Sequence, residues 1–518
     1  MYLEQSFHKQ ISFSSFLFEN DFLALFPEIF LVSTGIFLLV YGVITSTSKS
    51  LNYPLLSYNI SWYAIMALLY TSLLIYNSPI NNAVLLYNTL VIDDFTQFVK
   101  ITCLLSSACC ISMSLQYIQT QGDNAFETLI LILFAVSSML FLTSSADFIS
   151  LYLAIELQSL SFYVLAALKR NSEFATEAGL KYFLLGAFSS GLLIFGCSLI
   201  YGYTGVLSFS ECAKIFAAGV VPFDGIQAVT TESALVSLGM VFILAGFLFK
   251  IAAAPFHMWS PDVYQGAPTP ITAFFVITPK IALFAVFLRV FLQSFYDLFP
   301  IWQTLVIFAS LASMLVGALA ALSQSQIKRL MAFSSINHVG YLLAGFACAS
   351  IEGIQALSIY LIVYIFMNIA VFSILLCNMR HTHNNGLPRI KYITDLAFLA
   401  KTNPLLAFTF SIAMFSMAGI PPLAGFYSKA YIFFAALGSN LGVLAVVGVC
   451  TSVVSCFYYL RLIRIMYFST PKTWCSTARV PRTNALALAI SLFFLIFCMA
   501  YPAPLHLITH KIAIALCV

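Results

Sequence analysis

The chain has 518 residues, of which 61% are apolar and only 8% charged, with a formal net charge of +4. A soluble domain carries about 25% charged residues, so most of this length cannot face water. A soluble globular enzyme is excluded, and an all-α polytopic membrane protein is left.

A bilayer core about 30 Å thick takes roughly 20 apolar residues per helix. In chain order that pattern falls at approximately 22–44, 59–77, 95–118, 126–144, 147–168, 177–203, 233–259, 271–293, 302–322, 327–349, 353–378, 404–436, 441–467 and 485–503, fourteen spans in all. Residues 1–21 read as a surface extension, and with only Lys9 before a short apolar run they make a poor signal peptide. Residues 204–232 and 379–403 read as surface loops, and 504–518 as a short C-terminal tail.

Basic loops stay on the inner side during insertion. With fourteen spans, one side holds Lys49, Lys169, Arg170, Lys328, Arg329, Arg380, Arg389, Lys391, Lys401, Lys472, Arg479 and Arg482, whereas the other holds Lys9, Lys214 and Lys511. The asymmetry supports the span count and puts both termini on the outer side. Lys100, Arg289, Arg461 and Arg464 fall near span ends, where long side chains are expected to snorkel to the interface.

Four lysines remain inside spans: Lys181, Lys250, Lys280 and Lys429. Lys181 is shallow enough to reach a surface. The other three are deep, and each costs on the order of 3 kcal/mol on insertion scales. Among the nineteen acidic residues only Glu156, in DFISLYLAIELQSLSFYVLAAL, sits clearly within a span. One carboxylate cannot neutralise three or four ammonium groups. Either some of these lysines are neutral or they line a hydrated cavity, and both describe a path for protons.

Prolines accompany the lysines. Pro255, in FLFKIAAAPFHMWSPDVYQGAPTP, cannot donate to the carbonyl of Ile251, so the helix carrying Lys250 should break one turn beyond it. Pro421 and Pro422, in MAGIPPLAGFYSKAYIFF, precede Lys429 in a 33-residue span that would be about 50 Å long if continuous, so it should be interrupted too. The two discontinuous helices, spans 7 and 12, are five spans apart and therefore run in opposite directions. That arrangement points to two inverted five-helix repeats, spans 4–8 and 9–13. His338, in SSINHVGYLLAGF, falls mid-span in the second repeat. It reads either as a hydrogen-bonded packing residue or as a bridge between two half-paths, since histidine both donates and accepts near neutral pH.

The stretches IELQSLSFYVLAALKRNSEFATEAGLKYFLLGAFSSG, FKIAAAPFHMWSPDVYQGAPTPITAFF, TPKIALF, IKRLMAFSSINHVGYLL and FSMAGIPPLAGFYSK resemble the antiporter-like membrane subunits of proton-pumping NADH:quinone oxidoreductase, respiratory complex I. The resemblance covers roughly residues 20–505. It implies one transmembrane domain over 22–503, with half-channels at about 126–293 and 302–467. It also implies that Glu156 stands at the channel mouth, that Lys181 and Lys250 are the paired lysines of the first half, that Lys280 connects the halves, and that Lys429 ends the second. The expected partners are other complex I membrane subunits, sister antiporter-like chains included, and lipid, with no nucleic acid. FMN, iron–sulfur clusters and ubiquinone are implied in partner subunits, and no cofactor in this chain. The aromatic richness, with 50 Phe and 26 Tyr, and the form of the motifs point to the inner mitochondrial membrane, with basic loops toward the matrix and both termini toward the intermembrane space.

No two of the 24 glycines are separated by a single residue, so the G-x-G core of a dinucleotide fingerprint is missing, and none of the twelve cysteines forms a C-x-x-C pair. Electron transfer is therefore expected in partner chains. A cation/proton antiporter subunit, the ferredoxin-linked plastoquinone reductase relative and a purely structural membrane subunit are the competing readings. A sodium site wants clustered oxygen ligands, whereas the buried groups here are one glutamate and several lysines.

Overall fold

The computed structural model describes residues 17–46, 53–80, 82–121, 126–169, 171–217, 231–377, 379–381, 390–397, 399–469, 475–477 and 480–517. Residues 1–16 of the expected N-terminal extension, Lys9 included, lie outside them, as do Lys49, Arg170, Arg389, Lys472 and Arg479.

In chain order the described helices begin with α1 (Leu17–Ala24), α2 (Phe26–Ser46) and α3 (Tyr53–Tyr76), followed by a small hairpin of β1 (Ala83–Leu85) and β2 (Leu90–Ile92). Then come α4 (Asp94–Gln121), α5 (Glu127–Ser144), α6 (Phe148–Ala166), α7 (Glu173–Thr204), α8 (Phe209–Ala217), α9 (Thr231–Ile251), α10 (Trp259–Gly266) and α11 (Thr269–Arg289). The second part has α12 (Phe299–Leu322), α13 (Ile327–Ala347), α14 (Ile351–Leu375), the strand β3 (Met379–His381), α15 (Leu399–Thr402), α16 (Pro404–Ala418), α17 (Ala424–Gly438) and α18 (Gly442–Phe468). The strand β4 (Cys475–Thr477), which pairs antiparallel with β3, precedes α19 (Arg482–Ala500) and α20 (Ala503–Cys517).

Among the described residues, twelve helices are long and apolar enough to cross a bilayer: α2 to α7, α11 to α14, α18 and α19. Long helices are the natural form of such sequences, because lipid offers no partner to an open backbone group. The two remaining expected spans are each in two pieces. α9 stops at Ile251 because Ala252 turns left-handed at φ 64, and α10 resumes only at Trp259. α16 stops at Ala418 because Gly419 adopts φ 86 and returns its N–H to Phe415 O at 3.0 Å; α17 starts at Ala424. Ala254–Pro255 and Pro421–Pro422 are cis peptide bonds.

α11 and α13 form the centre. Every residue of Ile271–Arg289 is buried, and so is every residue of Leu330–Ala347. α11 lies against α14 and α4, while α13 lies against α10, α12, α14 and α17, so the central pair meets both broken helices. At the rim, α2 and α19 turn most of their side chains outward, as lipid-facing helices do.

Four expectations change. The segment 204–232 contains α8, whose Phe209, Cys212 and Phe216 are buried, and 379–403 contributes β3, so neither is only a surface loop. Most of residues 504–518, the expected short C-terminal tail, form α20 and pack on α14 and α4. Lys100 and Arg289 do not snorkel: Lys100 Nζ binds Glu28 Oε1 at 2.6 Å, both nearly inaccessible, and Arg289 binds Asp93 Oδ2 at 2.6 Å and Thr143 O at 3.3 Å. Glu156 is accordingly not the one carboxylate inside a span, since Glu28 is buried in the first turn of α2. For Lys100 and Arg289 a carboxylate offsets the cost of burial, and the helix packing decides which one.

Candidate functional site

Lys250 occupies the last turn of α9, directly before the break, and its Nζ is buried with no hydrogen-bond partner among the described groups. Glu156 on α6 is the charged group whose field acts on it. Glu156 Oε2 accepts from Ser159 Oγ at 3.3 Å, while Oε1 is buried and unpartnered. Lys250 and Lys280 line one cavity, together with Gln158, Ser159, Tyr264 and Pro279, and it has room for a water molecule. The cavity is the feature that the hydrated alternative calls for at these two lysines, and their burial is the feature that the neutral alternative calls for. Pro279, inside α11, removes the N–H that would pair with Phe275 O and loosens the helix beside Lys280.

Beyond the cavity the polar groups continue along one stripe of α13. Lys280 Nζ donates to Tyr364 Oη at 3.0 Å and to Ser335 O at 3.4 Å. One turn on, His338 holds two tyrosines, with Nδ1 2.6 Å from Tyr360 Oη and Nε2 3.2 Å from Tyr459 Oη. Ser335, His338 and Tyr341 follow at three-residue steps, so they share a helix face. The charges of Lys280 and Lys429 both act on His338. Lys429 Nζ, 5.3 Å above the Tyr341 ring, donates to Met417 O and Ala418 O at 2.9 Å each. Those are the last carbonyls of α16, left without intrahelical partners by the break, and they carry the negative end of its dipole. Among the described residues no ion pair reaches Lys250, Lys280 or Lys429.

Lys181 does not join this stripe. Its Nζ pairs with Glu177 at 2.7 Å and Asp262 at 2.9 Å, half-exposed at the edge. The shallow position that lets Lys181 reach a surface also lets nearer carboxylates take it. Tyr341, Tyr360, Tyr364 and Tyr459, all buried, were not singled out from the sequence, nor were Ser335, Pro279 and Asp262. A usable signal existed: Tyr360 and Tyr364 are four residues apart in mid-span, and a buried tyrosine hydroxyl needs a partner. Among the described residues no three His, Cys, Asp or Glu side chains come together as a metal site requires.

The family model described as NADH:quinone oxidoreductase/Mrp antiporter, TM, matches residues 145–455, from the start of α6 into α18. The chain is 56% identical to NADH-ubiquinone oxidoreductase chain 2 of Marchantia polymorpha, over 97% of its own length and 100% of that protein. It is 43% identical to NADH-quinone oxidoreductase subunit N of Paramagnetospirillum magneticum, over 94% of this chain and 96% of that one. Among solved structures, a chain of respiratory complex I from Thermus thermophilus with bound aureothin matches with a TM-score of 0.73 and 28% identity, over 92% of this chain and 97% of that one. The matched region holds Glu156, Lys250, Lys280, His338 and Lys429, and the chain belongs to the NADH:quinone oxidoreductase/Mrp antiporter family, as an antiporter-like membrane subunit of the complex I type.

Proposed function

We infer that this chain is a proton-translocating membrane subunit of NADH:ubiquinone oxidoreductase, driven by electron transfer in partner subunits. The observation that carries the reading is the buried series of polar groups from the Lys250–Lys280 cavity through Ser335, Tyr364 and His338 toward Lys429. FMN, iron–sulfur and ubiquinone chemistry belongs to partner subunits, and the membrane partners include sister antiporter-like chains. The site is the inner mitochondrial membrane, with the basic loops toward the matrix and both termini toward the intermembrane space. The halves 126–293 and 302–467 act as inverted half-channels, fourteen spans in all.

A proton arriving at Glu156 removes the negative charge that favours the Lys250 ammonium. Lys250 then releases its proton into the cavity, and Lys280 takes it up. From Lys280 it moves through the tyrosine hydroxyls to His338 and on to Lys429, which the α16 carbonyls stabilise when charged. Lys181, paired with Asp262, stands at the edge rather than in this relay.

Glu156→Gln and Lys250→Met in the native assembly test the reading, with proton uptake and NADH oxidation measured together in sealed vesicles. Both variants are expected to lower the proton-to-electron ratio or the coupled rate. An unchanged ratio and rate in both would reject it in favour of a structural subunit.

A further inference from the structure

Lys328 and Arg329 look in the sequence like an orientation signal, yet they reach the other broken helix. Lys328 Nζ donates to Ala267 O at 2.7 Å, at the C-terminal cap of α10, and Arg329 Nη1 donates to Gln265 Oε1 at 3.4 Å. Asp262, in the first turn of α10, accepts from Lys181 Nζ at 2.9 Å and lies 3.9 Å from Arg329 Nη2. An acid in the first turn and cations at the last complement the helix dipole at both ends.

α10 is also a wall of the cavity, since Trp259 and Tyr264 line it beside Lys250 and Lys280. The Trp259 indole N–H donates to Phe249 O at 2.9 Å, on the residue before Lys250, and its ring stacks on Tyr182, next in the chain to Lys181, at 4.7 Å. Gly266 approaches Phe174 O and Ala178 so closely that a Cβ there would collide with both. α10 therefore rests on α7 along its length, and a change in its seating moves the cavity wall.

We propose that α10 is a gate on the Lys250–Lys280 cavity, seated from one side by Lys181 and from the other by Lys328 and Arg329, with Asp262 as the positioning residue that joins the two sides. Lys328 and Arg329 open α13, the helix that carries His338, so a shift of α13 in the second half reaches the cavity of the first. The coupling is reciprocal: closing the gate biases α13 in turn. This inference rests on the proton-path reading above.

The test is a double-variant cycle in the intact respiratory assembly: Asp262→Asn, Arg329→Gln and the pair, with the amount assembled read from native gels and NADH-driven proton uptake from vesicles. Each single change is expected to lower uptake per assembled complex by about three- to tenfold, a usual range for groups in a connected network. The pair should be no worse than the poorer single change, because both remove the same contact. Losses that multiply overturn the gate, and so does a fall in assembled protein with uptake per complex unchanged. If Asp262→Asn does not assemble, Asp262→Ser, which also removes the charge, replaces it in the same cycle with the same two outcomes. Glu156→Gln in the same membranes separates the two ideas. Full pumping in that variant rejects the proton path, whereas multiplying losses beside an impaired Glu156→Gln reject the gate alone.

Discussion

Lys250 and Lys429 each sit close to a helix break, yet their ammonium groups meet different surroundings. Lys429 has two backbone carbonyls at 2.9 Å, while Lys250 has a cavity and the field of Glu156. Lys280 lies between them with only a tyrosine hydroxyl and one distant carbonyl. Among the described residues no carboxylate pairs with it, as a relay that must empty requires. Lys280→Arg is therefore expected to assemble and to lose most coupled proton uptake, because a guanidinium keeps its proton; uptake equal to the parent would contradict the relay. The buried Glu28–Lys100 pair behaves differently, since it holds two helices together away from the stripe. Lys100→Met alone should destabilise the fold by about 3–5 kcal/mol by stranding Glu28, whereas Lys100→Met with Glu28→Leu should recover most of the loss. Thermal stability of the detergent-extracted assembly reads both, and a double variant as unstable as the single would refute the pairing argument.

The broken helices were legible as elements because proline and glycine leave marks that no packing can erase. Pro255, Pro421 and Pro422 located both interruptions, and the left-handed Ala252 and Gly419 are the residues where the chain turns away. What the marks could not give is the use of the freed carbonyls, which α17 supplies by bringing Lys429 back to the end of α16. Gly419→Ala should disturb that return. The new Cβ would force an L-residue to hold φ 86 and would lie 3.0 Å from Lys429 Cδ. Assembly at reduced yield with impaired proton uptake is expected, and a variant that pumps normally would show that the α16 terminus tolerates another geometry.

At the scale of the molecule, α20 ties the C-terminus into the bundle. Gln355 Nε2 donates to His506 Nδ1 at 3.1 Å, the other ring nitrogen meets Tyr427, and Lys511 pairs with Asp94 at 2.9 Å. Burial and the neighbouring His510 hold the His506 imidazole below the ordinary histidine range. The folded state thus favours neutral His506, so this contribution to stability is present above the unfolded value of about 6.5 and is lost as pH falls through the lower folded value. Melting of the extracted assembly should fall between pH 7.5 and pH 5.5 by more in the parent than in His506→Gln. Equal falls would remove His506 as the cause. Removing residues 503–517 should lower the melting temperature at every pH, because it also removes the buried contacts that Ile512, Ala513 and Leu516 make with the bundle.

Hydropathy, the proline positions and the cost of charge in lipid were enough to read a helical membrane chain and its interruptions, and to single out Glu156, Lys250, Lys280 and Lys429 as candidates, because each of those is a local penalty written into a short stretch. Partnership was not local. Which carboxylates took Lys181, whether Lys100 and Arg289 reached the interface or a buried carboxylate, and which tyrosines lie between Lys280 and Lys429 all depended on contacts between residues up to 196 positions apart. Such contacts are set by how α11 and α13 stack against the broken helices, and helix packing depends on shape complementarity across the whole bundle, which no single stretch encodes.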